Sequence, residues 1–86
     1  MKHIHKTFGT CSQFIDIELE EDIVKEVNFI GGCHGNTQGI SALVKGMPAQ
    51  KVISILKGIR CGGKETSCPD QLALGLEDAL KLSKNK

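Results

Sequence analysis

Tryptophan and tyrosine are absent, and phenylalanine occurs three times and proline twice in 86 residues. So few rings give no stacking platform for single-stranded nucleic acid and few large side chains for a core. Charge of neither sign is in excess, with 11 Lys and Arg against 10 Asp and Glu. That balance supplies no basic stripe to neutralise a phosphate backbone, so direct nucleic-acid binding is not expected. No apolar run approaches the roughly eighteen residues of a membrane span, and Met1-Lys2-His3-Ile4-His5-Lys6 has no signal-peptide core. The expectation is a cytoplasmic protein without membrane contact, built as a single domain over residues 1–86 with a modest core.

Two things are plentiful: ten glycines and four cysteines. In a reducing compartment, ordered cysteines serve as metal ligands, catalytic groups or small buried hydrophobes more often than as disulfides.

The first thirty residues carry the period of strands. From His3 to Phe8 residues alternate, Ile4 and Phe8 on one side and His3, His5 and Thr7 on the other, which suits an edge strand with a wet face for the histidines. A metal site on His3 and His5 ranks below that solvated face. After the turn Gly9-Thr10-Cys11-Ser12, the run Phe14 to Leu19 points Ile15, Ile17 and Leu19 inward and Asp16 and Glu18 outward. Glu20-Glu21-Asp22 reverses the chain into a third run, Ile23 to Ile30, which stops at Gly31-Gly32. Three short sequential strands form an antiparallel meander most simply.

The remainder carries the period of helices. With Asn36 or Thr37 as N-cap, Ile40, Leu43, Val44 and Met47 share one helix face, and Gly46 ends the helix. Pro48 suits the first turn of a second helix with Ala49, Val52, Ile53 and Leu56 on its inner face, up to Gly58. Ser67-Cys68-Pro69-Asp70 reads as the start of a third, whose inner stripe is Leu72, Leu76, Ala79 and Leu80. The expected fold is α+β, a three-stranded antiparallel sheet packed against about three helices.

Cys11, Cys33, Cys61 and Cys68 all fall in turns or glycine-flanked loops between these elements, and none lies on an inward stripe. A cysteine kept for packing belongs in an apolar face. A ligand instead needs a tight loop whose N–H groups face the sulfur, and Gly9, Gly31, Gly32, Gly35, Gly62 and Gly63 permit such loops. Four loops meeting at one sheet end would give tetrathiolate zinc, or four sulfurs around an iron-sulfur cluster. No Cys-x-x-Cys pair supports this, so unrelated thiols stay open as an alternative, with disulfides ranked last. His34, next to Cys33, is a fifth candidate or an outer donor, against a plain surface reading. Gly58 to Lys64 has phosphate-loop spacing, but Glu65 stands where magnesium needs a hydroxyl, and the motif would follow a helix.

Thr66-Ser67-Cys68-Pro69-Asp70 spells the signature of the TSCPD family, and the chain length with four cysteines resembles its short stand-alone members. Related domains stand at the C-terminus of adenosylcobalamin-dependent ribonucleotide reductases. The resemblance implies a metal site and a link to deoxyribonucleotide synthesis. The strand order, Cys11 in the first turn, Val27 to Cys33, and Cys68 at its helix are also similar to the NifU/IscU iron-sulfur cluster scaffolds. Ser67 stands where those scaffolds have a histidine, and Gln13 where they have an aspartate that accompanies cluster release.

These readings together give a metal-binding module without activity of its own, zinc before iron-sulfur, with Cys11, Cys33, Cys61 and Cys68 as ligands. Its expected partner is a ribonucleotide reductase or another protein, as monomer or homodimer. A cluster scaffold and a thiol redox protein are the alternatives.

Overall fold

A computed structural model describes residues 1–7, 9, 12–31, 34–60, 63 and 65–84. Three strands, β1 (Lys2–Lys6), β2 (Ser12–Glu20) and β3 (Ile23–Gly31), precede three helices, α1 (His34–Val44), α2 (Ala49–Leu56) and α3 (Cys68–Lys84). The sheet is antiparallel in the order β1-β2-β3, the expected meander. Glu21, at a positive φ of 57°, turns β2 into β3 beside Asp22.

One face of the sheet is covered and the other is open. On the covered face His5 stands opposite Ile15 and Ile15 opposite Phe29, while His3 stands opposite Ile17 and Ile17 opposite Val27. Ile15, Ile17, Leu19, Val24 and Val27 are buried there with Val44, Val52, Ile53, Leu72, Leu76, Ala79 and Leu80. Helix α3 lies against β1 and β2, α1 against β3, and α2 against α3.

Val24 and Val27 are three residues apart, a spacing that in a regular strand sends side chains to opposite faces. Both are buried because β3 carries a bulge. Glu18 pairs with Glu26 and Leu19 with Val24, so Lys25 is the extra residue, and it reaches Glu18 at 3.5 Å. Gln13 is a second extra residue, on β2, between the Ser12–Gly31 and Phe14–Ile30 pairs.

The structure corrects three expectations. Strand β1 faces the other way: Ile4 is 65% exposed, and the histidine side turns toward α3. Helix α1 starts at His34, so Asn36 and Thr37 belong to its first turn, where Thr37 is buried as the helix lies on β3. Leu43 is 76% exposed, on the rim of an apolar groove with Ile40, Met47, Ile55 and Leu56. Helix α1 lies along the edge strand and meets the core through Val44 and, half-buried, Ile40. Helix α2 and the leucine stripe of α3 are buried as expected.

Candidate functional site

Helix α3 begins in a network of hydrogen bonds made by the T-S-C-P-D sequence itself. Ser67 caps the helix: its Oγ accepts from the Asp70 N–H at 3.2 Å and donates to the Ile59 carbonyl. The Asp70 carboxylate accepts twice, from the Gly58 N–H at 2.7 Å through Oδ1 and from the Thr66 hydroxyl through Oδ2. Pro69 sits in the first turn, where its missing N–H costs nothing. Four of the five residues thus build the helix start and tie it to the chain leaving α2. Cys68, half-buried at the first helical position, is the remaining one.

From this start the network continues inward. The Thr66 hydroxyl has given its hydrogen to Asp70, so its oxygen accepts from Gln71 Nε2 at 2.9 Å. That fixes the Gln71 amide, whose Oε1 then faces His5 Nε2 at 2.9 Å. An amide oxygen only accepts, so His5 Nε2 carries a proton, and in the neutral ring Nδ1 holds the lone pair. His5 Nδ1 is 3.9 Å from Asp78 Oδ2. One ligand atom from each of His3, His5 and Asp78 lies within 4.8 Å of the others.

Gln71, Gly75 and Asp78 fall at i, i+4 and i+7, a second stripe of α3 beside the leucines. Gly75 lets the helix come this close: a Cβ there would sit 2.9 Å from both His5 Cβ and Ile17 Cδ1. The sequence carried this signal as His-x-His on a strand and a polar stripe on a helix. An apolar Ile4 argued for the opposite orientation and hid it.

Cys11, Cys33 and Cys61 lie outside the described residues, as do Phe8 and the side chain of His34. Their described neighbours make contact in pairs. Ser12 pairs with Gly31 across the β2–β3 ladder, and Gly9, at φ 70°, lies so near Thr66 that a Cβ would be 2.8 Å from its Cγ2. Gly58 and Ile59 are held against Asp70 and Ser67.

Sheet, helices and helix start define a small α+β domain organised around the end of the sheet where α3 begins. The TSCPD domain model matches residues 1–80, and the chain belongs to that family. No curated protein and no solved structure matches it. Among the described residues no helix is long and apolar enough to cross a membrane.

Proposed function

We propose that the chain is a metal-binding module in which Cys11, Cys33, Cys61 and Cys68 hold one zinc ion, serving ribonucleotide reduction as an accessory or detached domain. The supporting observation is a series of pairwise contacts that links the four flanking segments. Gly9 packs on Thr66, Ser12 pairs with Gly31, and Gly58 and Ile59 bond to Asp70 and Ser67. Each of these segments leads within a few residues to a cysteine. Four thiolates suit zinc and leave no weak, exchangeable position of the kind a cluster-transfer site needs. Zinc bound this way adds on the order of 10 kcal/mol to folding, which a domain with so few large core side chains can use. The accessory role follows from the family, whose related domains accompany the reductase.

Elemental analysis of anaerobically purified protein, read with its visible spectrum, tests the metal. The expected result is about one zinc per chain in a colourless protein. A brown protein with iron and sulfide replaces this reading by a cluster scaffold. Protein without metal and with one rapidly alkylated thiol replaces it by a redox protein. Addition of the chain to an adenosylcobalamin-dependent reductase, followed by sedimentation and turnover, tests the accessory role; no association and no change in rate would end it.

A further inference from the structure

The histidine face of β1 shares no residue with the cysteine set, and the expected fold does not explain it. His3 and His5 occupy positions that on an ordinary edge strand would carry aliphatic side chains, because their cross-strand neighbours Ile17 and Ile15 are fully buried. His3 Nε2 is buried and has no hydrogen-bond partner among the described residues. The His5 side chain is 11% exposed, yet it meets a carboxylate that is 58% exposed. At 3.9 Å this is the outer limit of an ion pair, and the exposed Asp78 is free to turn toward the ring or away from it.

We propose that His3, His5 and Asp78 form a second metal site, for a divalent cation of the zinc group, with Gln71 as its positioning residue. Two imidazoles and one carboxylate are a three-ligand set for such a cation, with a fourth position open to water or to a ligand from outside. Imidazole donors disfavour magnesium and calcium, which take oxygen. Ligands around tetrahedral zinc stand roughly 3.3 Å apart. The three ligand atoms, within 4.8 Å of one another, therefore form a relaxed site that side-chain rotation has to tighten, and the exposed Asp78 is freer to turn than His5.

The hydrogen bonds behind His5 serve the same end. A ligating histidine usually gives its other N–H to an acceptor that fixes ring and tautomer. Here that acceptor is Gln71 Oε1, on a fully buried side chain held in turn by Thr66 and Asp70. The family signature thereby reaches His5 through three hydrogen bonds and presents its Nδ1 lone pair on the side where Asp78 stands. Gly75 keeps the helix close enough for the reach.

The test uses the full chain, with zinc uptake followed by calorimetry and elemental analysis, and cobalt used as a coloured substitute. Wild-type protein should take a zinc equivalent that moves the 15N signals of His5 and His3, while the thiolate-to-cobalt charge-transfer band of the cysteine site stays as it was. Asp78→Asn, at an exposed position that leaves the core intact, should weaken that equivalent about ten-fold or more. His5→Ala should abolish it, and Gln71→Met should shift the His5 tautomer before any metal is added. Histidine signals that zinc does not move, a His5 ring with both nitrogens protonated throughout, or undiminished affinity in Asp78→Asn would each overturn the proposal. If the charge-transfer band is missing but the histidine signals still respond, the cysteine reading fails and this one stands.

Discussion

Asp70 and Gly75 show how much of this molecule rests on single atoms. Both carboxylate oxygens of Asp70 accept from donors, the Gly58 N–H and the Thr66 hydroxyl, and the side chain is buried. Asp70→Asn exchanges one oxygen for an NH2 group, which either faces the Gly58 N–H or forces the Thr66 hydroxyl to give up its acceptor, and in both cases the charge that strengthens the two bonds is lost. The expected loss is about 2 kcal/mol, read from urea unfolding, with no change in helix content. Gly75→Ala sets a better helix former against a collision, since the new methyl meets His5 Cβ, fixed by its strand, and a fully buried Ile17. Relief of the glycine adds about 1 kcal/mol and overpacking takes about 1–3, so the net change should be destabilising by roughly 1 kcal/mol. A stabilised Gly75→Ala would show that α3 stands farther from β1 than described.

Elements differ in how they use the same residue type. Gly39 lies in the interior of α1 with open space where its Cβ would be, so Gly39→Ala should raise stability by about 0.5–1 kcal/mol. Gly46, beyond the end of that helix, also has open space, but its φ is +87° and its N–H donates to the Val24 carbonyl. Gly46→Ala should therefore cost about 1–2 kcal/mol through backbone strain alone. Thermal unfolding of the two variants should move in opposite directions. The same connection carries the Val24 N–H to Met47 and the Ala49 N–H to Asp22, so the link from α1 to α2 is anchored on the β2–β3 turn and the start of β3.

At the scale of the whole molecule the question is what holds a chain with so little aromatic mass. Among the described residues the buried apolar side chains are leucine, isoleucine, valine and alanine from one sheet face and three helices, with Phe29, Met1 and Met47 packed against them half-buried. If the four thiolates share one zinc, its removal by a chelator should lower the unfolding temperature steeply. Replacing Cys11, Cys33, Cys61 or Cys68 by serine should lower zinc content and stability together, by several kcal/mol for each. A Cys11→Ser protein with full zinc content and unchanged unfolding would take that residue out of the site.

The elements themselves were legible. Alternation in Ile15, Ile17 and Leu19, helical spacing in Ala49, Val52 and Ile53, and the leucines of α3 each placed a buried face correctly, because a long apolar stripe has one favourable orientation. Where the stripe is short or broken, local pattern gave way to packing. β1 offered one isoleucine against two histidines and was settled by Gln71 and Gly75, more than sixty residues away. Val24 and Val27 needed a bulge to share a face, and Leu43 was left outside because α1 lies on a sheet edge. The sequence by itself determined the order and type of the elements, the helix start at the signature, and the four-cysteine inventory. Only the tertiary structure decided that the signature's hydrogen bonds run on to His5, since a donor finds its acceptor by distance in space and not along the chain.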